Sequence, residues 1–327
     1  MQRRTLLKSP LLALGSFAGM SAFAQSANNF PTRPIIWIVP YAPGGSTDTI
    51  ARILSSEMQK AFPQPIVVDY KPGAATTIGA NFVSRAAPDG YTLMSADNGT
   101  LAYNQFIYPS LPYDANTSFS YVGGIGRFPM ALAVAPSVPV KTAQEFLAWA
   151  KANRGKIFYG SPGIGSPHHL NMEFFLDAVG VSLQHTPYKG GAPAINALVA
   201  GEIQAMIVDL GLGRELALAG RIRILALAAE NRAASLPDVP TFTEAGLPKM
   251  TLAAWQGVVA PANTPKPVIE QLNAALNTAL RSETFQERFN VYAFEIMPGT
   301  PQAFEAFVRA EREQWGAFIR RKGITVN

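Results

Sequence analysis

The 327-residue sequence contains no cysteine and only three histidines. The missing cysteine excludes disulfide bonds, thiolate metal sites, a cysteine nucleophile and lipid attachment through an N-terminal cysteine. His168 and His169 are adjacent, so on a helix they point to different sides, and with His185 they form no HExxH motif. A metal site is therefore not predicted, and the fold must be stabilised by burial of a hydrophobic core.

The sequence also lacks the local signatures of several enzyme classes. No serine lies in a G-x-S-x-G elbow. The glycine-rich loop after the first strand has no Gly-Lys-Ser/Thr ending, as a P-loop requires, and a second such loop has His168 where a dinucleotide fingerprint needs its third glycine. We therefore predict a protein without catalytic activity, metal or cofactor. The alternative is an enzyme that acts on a small organic acid on a two-lobed α/β fold.

The N-terminus has the features of an export signal. Residues 1–24 combine a basic region with Arg3 and Arg4, an apolar run over 11–23 and an Ala22-Phe23-Ala24 cleavage site. We expect cleavage after Ala24 and export by either the twin-arginine or the general secretory route. Because Arg3, Arg4 and Lys8 leave with the signal, the remaining chain carries 24 Lys and Arg against 22 Asp and Glu. This near-neutral balance does not indicate nucleic-acid binding.

Short apolar strands alternate with helical patterns along the mature chain, which predicts an α/β fold with mostly parallel sheets. Strands are expected at 35–39, 66–69, 92–96, 120–125, 130–135, 157–159, 183–186, 204–208, 222–228, 256–259 and 293–297. Capping residues predict helix starts at Thr142, at Ser166-Pro167 and at Thr300-Pro301. Gly180 and Gly323 are expected to end two of these helices.

The chain is expected to cross twice between two lobes. The candidate crossings are the strands near Pro129–Pro136 and Trp255–Pro261, each of which ends at a proline. This places residues 25–131 and 256–327 in lobe one and residues 132–255 in lobe two. Strands that end at a proline are common, and the division therefore rests partly on a family resemblance.

Two glycine-rich loops, each between an apolar strand and an expected helix, form the candidate binding site. They are Pro40-Tyr41-Ala42-Pro43-Gly44-Gly45-Ser46-Thr47-Asp48 and Gly160-Ser161-Pro162-Gly163-Ile164-Gly165-Ser166. A helix N-terminus has unpaired N–H groups and the positive end of the macrodipole, so it suits an anion. Glycine allows a ligand to approach closely and permits a positive φ, which we expect at Gly45 and Gly165. The alternative is that both loops are ordinary turns of an α/β protein.

Other polar segments also follow strands, at the edge where α/β proteins bind ligands. Tyr188 could form a wall of the ligand site, and Lys189 could supply a cation to the ligand. The alternative for Lys189 is a solvated residue in a turn. Asp209 could reach the ligand or cap the segment that follows it. Asn98, next to Asp97, carries the same ambiguity.

Several further motifs occur in a fixed order along the chain. Besides the two loops they are His169-Leu170, Pro187-Tyr188-Lys189-Gly190, Ser235-Leu236-Pro237-Asp238-Val239-Pro240-Thr241, Ala254-Trp255-x-Gly257 and Ala260-Pro261-Ala262-x-Thr264-Pro265. Together they resemble the Bug-type (TctC-like) solute-binding proteins of tripartite tricarboxylate transporters, over essentially the whole mature chain. Asn263 departs from the pattern, since many relatives have glycine there.

The resemblance implies a periplasmic receptor with a two-lobed type II binding-protein fold. Such a receptor closes on a small carboxylate and delivers it to the large and small subunits of a membrane permease. We expect a monomer. The resemblance also implies that backbone N–H groups and hydroxyls of the two loops hold the carboxylate. The implied contacts are Tyr41, Gly44, Gly45, Ser46, Thr47 and Asp48 in the first loop and Ser161, Gly163, Ile164, Gly165 and Ser166 in the second.

Overall fold

The computed structural model describes residues 30–188, 190–250, 252–290 and 294–326. The export signal predicted for residues 1–24 and the predicted cation Lys189 lie outside the described residues, so both remain predictions. Among the helices that are described, none combines the length and the apolar character that a membrane span requires.

Strands and helices alternate along the described chain, which confirms the predicted α/β class. The strands are β1 (Ile35–Val39), β2 (Ile66–Tyr70), β3 (Thr92–Asp97), β4 (Phe119–Val134), β5 (Phe158–Ser161), β6 (Gln184–Pro187), β7 (Ala205–Asp209), β8 (Arg223–Leu227), β9 (Ala253–Pro261) and β10 (Glu295–Ile296). The helices are α1 (Ser46–Gln59), α2 (Thr77–Ser84), α3 (Asn104–Ile107), α4 (Ala143–Ala152), α5 (Pro167–Val179), α6 (Gly191–Ala200), α7 (Leu210–Leu218), α8 (Lys266–Leu280), α9 (Glu283–Asn290) and α10 (Pro301–Lys322). A π-helical segment, Gly99–Tyr103, precedes α3.

The first sheet has the strand order β2-β1-β3-β9-β4, with the short β10 on β4. The strands β1, β2, β3 and β4 run in one direction, and β9 and β10 run against them. Successive side chains of a strand face opposite sides, so Val258 and Ala260 of β9 pack with α1 and α8, whereas Trp255 and Val259 pack with α10. We call this sheet and its helices lobe one.

The second sheet has the strand order β8-β4-β7-β5-β6. The strands β5, β6, β7 and β8 run in one direction, and β4 runs against them. The buried residues of its core all come from positions 130 to 252. We call this sheet and its helices lobe two. In each sheet most strands run in one direction, but five of the nine strand pairings among the described residues are antiparallel, so both sheets are mixed. In each sheet the long antiparallel strand is the one that arrives from the other lobe.

The strand β4 belongs to both sheets. It pairs with β9 as far as Pro129, opposite Ala253, and with β7 from Met130, opposite Asp209. The two strands predicted at 120–125 and 130–135 are therefore one strand of 16 residues. Pro129 lies where the ladder changes partner, a position at which a missing N–H is tolerated. The chain passes from one sheet to the other at 129–130 and again at 252–253, near the predicted crossings. The exact division into lobe one (25–131 and 256–327) and lobe two (132–255) stays a prediction.

The predicted helix ends are confirmed. Thr142, Ser166 and Thr300 each accept a hydrogen bond from the N–H three residues later, at 3.1, 3.3 and 3.1 Å. Gly180 and Gly323 follow their helices with φ of +65°, which glycine adopts without a steric penalty. These ends depend on residues within one turn of each other, which is why the sequence reveals them.

The helix α5 of lobe two also packs against α10 of lobe one. Phe174 contacts Trp315 and Phe318, with ring centroids 5.3 and 5.2 Å apart. Arg321, near the end of α10, donates a hydrogen bond to Asp177 at 2.8 Å. Because α5 begins at the second glycine-rich loop, this contact connects that loop to lobe one through the helix.

Candidate functional site

The two glycine-rich loops lie at the carboxyl ends of parallel strands, one loop in each lobe. The first follows β1 and opens α1, and the second follows β5 and opens α5. The second loop also meets lobe one, since a Cβ placed on Gly165 would lie 2.9 Å from Ile107 Cδ1 of α3. Because α3 lies soon after the end of β3, the carboxyl edges of the two sheets face each other here. The candidate site is the cleft between these edges.

Gly44 and Gly45 in the first loop take different backbone conformations. Gly44 has φ of +92°, whereas Gly45 is extended, with φ −85° and ψ 178°. The prediction of a positive φ at Gly45 is therefore wrong, because the turn that needs glycine occurs one residue earlier. A Cβ on either residue would meet no described atom closer than 4.0 Å. The space beside both glycines is open to a ligand.

Asp48 braces the first loop from within α1. Its carboxylate accepts hydrogen bonds from the Gly44 N–H, the Arg52 Nε and the Tyr70 hydroxyl, each at 2.7 Å. Burial alone would raise the pKa of Asp48, but these hydrogen bonds and the Arg52 charge outweigh it and hold the pKa below its usual value. The Asp48 carboxylate and the Gly44 N–H are thus occupied within the protein. Only the backbone of Asp48 is left for the predicted ligand contact.

The N-terminus of α1 is open. Among the described residues, no side chain caps this helix at Gly45. The N–H groups of Ser46 and Thr47, in the first turn, have no acceptor within the helix. Ser46 is exposed, and Thr47 Oγ1 accepts a hydrogen bond from Gln256 Nε2 at 2.8 Å. Free N–H groups at the positive end of a helix are groups that can bind a carboxylate, and α1, with 14 residues, is long enough to have such an end.

Tyr41 can offer a ligand in the cleft its ring but not its hydroxyl. The hydroxyl donates a hydrogen bond to Asp97 Oδ2, and burial, followed by the Asp97 charge, raises the pKa of Tyr41 well above its ordinary value. Asp97 also accepts the Thr100 N–H at 2.9 Å and is buried. The residue Tyr41 nevertheless remains 38% exposed. A ligand can therefore contact the ring as a wall of the cleft.

A third loop, which sequence analysis missed, lies at the same edge of lobe one. It follows β2 and contains Ala74, Ala75 and Thr76 with φ of +45°, +46° and +75°. Such strain persists only where surrounding contacts enforce it. Here Asn104 Nδ2 donates to Ala75 O at 2.8 Å, and Thr100 Oγ1 donates to Thr76 Oγ1 at 2.8 Å. The Pro-Gly pair before these residues indicates a turn but not this conformation.

The second loop satisfies most of its own N–H groups. Gly165 has φ of +78°, as predicted. Its N–H donates to His169 Nδ1 at 3.1 Å, and the Ser166 N–H donates to Gly163 O at 3.2 Å. Within 163–166, and counting only partners among the described residues, Ile164 is left with an N–H that has no acceptor. The second loop therefore offers fewer amides to an anion than its sequence suggests.

Ser161 and His185 form a hydrogen-bonded pair that sequence analysis did not predict. Ser161 Oγ lies 2.7 Å from His185 Nε2 and accepts the Gly163 N–H at 3.2 Å. Ser161 is fully buried, and burial lowers the pKa of His185 to about 4. The serine is out of reach of a substrate and the imidazole is a weak base, so the pair holds the loop rather than supplying a nucleophile.

Tyr188 and Asn98, both predicted to contact the ligand, have different surroundings. Tyr188 lies beside the second loop, since its N–H donates to Ser161 O at 2.9 Å. Asn98 is fully buried, its Nδ2 donates to the Tyr103 hydroxyl at 2.8 Å, and its Oδ1 accepts the Trp255 N–H at 2.8 Å. The Asn98 side chain thus braces β9 instead of facing the cleft.

Asp209, at the end of β7, lies next to His168 of α5. His168 Nε2 is 3.3 Å from Asp209 Oδ2. Within the part of the chain that the structure describes, Asp209 makes no capping hydrogen bond, and its buried Oδ1 has no partner. The capping alternative for Asp209 is therefore wrong, and its contact with a ligand stays a prediction. His168 and His169 do point to different sides of α5.

Gln256 is a further polar residue of this region that sequence analysis passed over. It occupies the variable position of the Ala254-Trp255-x-Gly257 motif, lies opposite Asp97 in the sheet and is 7% exposed. Its Nε2 holds Thr47 in the first turn of α1. A glutamine on a strand carries no local signal for this role, because its partner lies 209 residues away.

The described residues contain no group of three His, Asp or Glu side chains that could hold a metal ion. A cavity of about 420 Å³ lies between α4, α5 and the end of α10. Its lining residues are Ala150, Lys151, Arg154, Leu176, Asp177, Gly180, Val181, Ser182 and Lys322. None of them belongs to either glycine-rich loop, so this cavity is not the ligand cleft.

A family model described as "tripartite tricarboxylate transporter family receptor" (TctC) matches residues 50–324. The chain belongs to this family. It is 33% identical over 316 residues to the protein BugT of Bordetella pertussis, an alignment that covers 96% of this chain and 97% of BugT. The resemblance read from the ordered motifs is thereby confirmed.

Solved structures of similar proteins have the same fold. Rpa4515 of R. palustris, solved with adipate, has a TM-score of 0.83 at 32% identity, over 91% of this chain and 100% of that one. The periplasmic binding protein BugD has a TM-score of 0.81 at 32% identity, over 91% of this chain and 100% of that one. MatC of Rhodopseudomonas palustris, with bound malate, has a TM-score of 0.79 at 31% identity, over 88% of this chain and 99% of that one. The predicted two-lobed type II binding-protein fold is confirmed, and the family is one of solute receptors.

Proposed function

We propose that this receptor holds the carboxylate of a small organic acid at the N-terminus of α1 and closes lobe two over it. The observation that carries the proposal is the open first turn of α1. There the N–H groups of Ser46 and Thr47 have no helical acceptor, and the space beside Gly44 and Gly45 is open. Adipate in Rpa4515 and malate in MatC support the same class of ligand here.

Lobe two contributes shape and cover to this site more than hydrogen bonds. Ile164 supplies one unpaired N–H among the described residues and is 39% exposed, and Tyr188 lies beside the same loop through its hydrogen bond to Ser161. A ligand that bridges both lobes stabilises the closed form only through its higher affinity for that form. The receptor thus closes because the acid contacts both edges of the cleft.

The receptor is proposed to act in the periplasm as a monomer and to deliver its ligand to the permease subunits of a tripartite tricarboxylate transporter. The family description supports the transporter, and the likeness to the periplasmic protein BugD supports the compartment. The export signal predicted for residues 1–24 agrees with both. A receptor of this kind performs no reaction, and the buried Ser161–His185 pair does not favour one.

Calorimetry with adipate, malate and succinate tests the proposal, together with mass spectrometry of the recovered ligand. We expect at least one acid to bind saturably and to be recovered unchanged. The matching amide should bind poorly, because it lacks the charge that a helix N-terminus favours. At about 100 times the Kd, the ligand should raise the free energy of unfolding by ~2.7 kcal/mol.

The proposal fails if none of the three acids binds, and two further outcomes would contradict it. Chemical conversion of the acid would support the enzyme alternative, and equal affinity for an acid and its amide would show that the helix N-terminus does not hold the carboxylate.

A further inference from the structure

His169 lies at the third position of α5 and connects the start of the helix to the loop before it. Its N–H donates to Ser166 Oγ at 3.3 Å, and its Nδ1 accepts the Gly165 N–H at 3.1 Å. A capping box has the same reciprocal pattern, in which the side chain at the third helical position reaches back to a backbone N–H. Here the histidine reaches one residue further back, to the residue before the N-cap.

We propose that His169 is a positioning residue for the ligand cleft, whose imidazole holds the second loop in shape through the Gly165 N–H. The inference rests on the proposed receptor function. Gly165 lies against Ile107 of lobe one, so the part of the loop that His169 holds is the part that meets the other lobe. Without the acceptor, the buried Gly165 N–H would have no partner, which favours another loop conformation.

Stacked rings hold the imidazole of His169 in place. It lies 4.0 Å from the His185 ring at an interplanar angle of 13°, and Tyr159 stacks on His185 at 4.8 Å. The Tyr159 hydroxyl donates to Glu173 Oε1 at 2.7 Å, and Glu173 Oε2 lies 3.3 Å from Lys322 Nζ. His185 also contacts the start of the loop. The two stacked imidazoles therefore hold both ends of the loop.

The contact requires an unprotonated Nδ1 on His169. Burial, and secondarily the neighbouring His185, lower the pKa of His169 to about 3. Burial lowers the pKa of His185 to about 4, against the opposing effect of the Glu173 charge. The groups that face these rings are Tyr159 and Glu173, the latter paired with Lys322. Both imidazoles are therefore neutral between about pH 5 and 8, where the acceptor is needed.

The test compares His169→Gln, which keeps an acceptor at the third helical position, with His169→Leu, which removes it. Hydrogen exchange of the ligand-free protein measures the protection of residues 160–170, and calorimetry with adipate and malate measures affinity. We expect His169→Leu to speed exchange of this loop and to weaken binding about tenfold. His169→Gln should stay within about threefold of the wild type in affinity and keep the loop protected.

Phe175→Leu is the matched control, because Phe175 is buried on the same helix and packs on Phe242 away from the loop. It should lower the melting temperature without changing exchange of the loop. Unchanged loop exchange in His169→Leu, or an equal loss of binding in His169→Gln and His169→Leu, would overturn the role of His169. If none of adipate, malate and succinate binds the wild type, the proposed function fails, while the exchange comparison still decides whether His169 holds the loop.

Discussion

At the start of α1 the first helical residue is Ser46, whose N–H has no acceptor within the helix, whereas at the start of α5 it is Pro167, which has no N–H. The two helices also differ in their caps. The N-cap of α1 is Gly45, which has no side chain to cap the helix, while Ser166 caps α5. Asp48 and His169, each at the third helical position, both accept the N–H of the residue before the N-cap. Two similar strand–glycine–helix segments thus expose different numbers of amides.

The difference shows when a helix N-terminus is an anion site. A glycine-rich loop before a helix is not sufficient, because the protein's own side chains compete for the same N–H groups. In the first loop Asp48 takes only the Gly44 N–H. In the second, internal acceptors take most of the available groups. We therefore expect lobe one to bind the carboxylate and lobe two to shape and close the cleft.

The largest expected effect comes from Gly165→Val in the second loop. Gly165 has φ of +78°, and a Cβ there would lie 2.9 Å from Ile107 Cδ1, so valine adds both backbone strain and a collision. Strain of this kind costs about 1–3 kcal/mol and the collision adds to it, so binding of adipate or malate should weaken about a hundredfold. Calorimetry measures the loss, and circular dichroism checks the fold.

Gly45→Ala in the first loop is the control for this variant. Its backbone is extended and a Cβ there meets no atom of the described residues closer than 4.0 Å, so we expect an unchanged fold. The single methyl group in the ligand space should lower affinity by no more than about tenfold. Equal losses in the two variants would mean that the glycines of the two loops do not differ as the structure indicates.

The next largest effect is expected for Ser46→Pro, which removes one N–H from the open end of α1. Proline is favoured at the first helical position, and Gly45 before it is already extended, so the helix should form normally. A hydrogen bond to a charged group contributes about 1.5–3 kcal/mol, so affinity should fall roughly ten- to a hundredfold. Calorimetry compares the affinity of this variant with that of Ser46→Ala, which keeps the N–H and removes only the hydroxyl. A similar loss in Ser46→Ala would assign the contact to the hydroxyl.

A smaller effect is expected from pH, and it should arise in lobe two. Below about pH 6.5 the unfolded chain binds protons at His169 and His185, whereas the folded rings resist protonation until about pH 3 and pH 4. The free energy of unfolding should therefore fall as the pH drops through this window, by at most ~1.4 kcal/mol per pH unit for each ring and by less for the more exposed His185. Denaturant unfolding at about pH 7, 6 and 5 should show a shallower slope in His169→Gln. Identical slopes would show that His169 is not kept neutral.

The smallest effect is expected for Lys189→Ala. If backbone N–H groups of α1 hold the acid, the site needs backbone shape more than a particular cation, and affinity should fall less than about tenfold. The measurement is calorimetry with the same acids. Loss of binding in Lys189→Ala together with normal binding in Ser46→Pro would show that a side-chain cation holds the carboxylate, and the contrast between the loops would lose its functional meaning.

Much of the fold could be predicted from local signals, and the errors have identifiable causes. Two strands, at 120–125 and 130–135, were predicted where β4 is continuous, because the passage of one strand between two sheets leaves no local mark. The positive φ was assigned to Gly45 instead of Gly44, since adjacent glycines are equivalent until the turn is placed. Asn263, which departs from the glycine of the family pattern, has φ of +65°, a conformation that glycine adopts freely and asparagine more readily than most other residues.

The candidate site could be predicted only in part. The two loops are at the expected strand ends, but the sequence did not distinguish an open helix start from a closed one. The S-x-x-H pattern of Ser166 and His169 is local, yet it departs from the usual capping box and was not recognised. The third loop was missed because Ala74 and Ala75 are residues that rarely adopt a positive φ.

By itself, the sequence determined the absence of thiol chemistry, which follows from composition. It also determined the alternation of strands and helices and the positions of the helix caps at Thr142, Ser166 and Thr300, because these depend on residues close together in the chain. Only the tertiary structure decided which polar groups of the cleft are free. Tyr41 reaches Asp97 across 56 residues, and Gln256 reaches Thr47 across 209. Such partners are set by the order of strands in the sheets and by the exchange of β4 between them. A hydrogen bond formed across that distance removes a donor or an acceptor from the ligand site without leaving any mark in the neighbouring sequence.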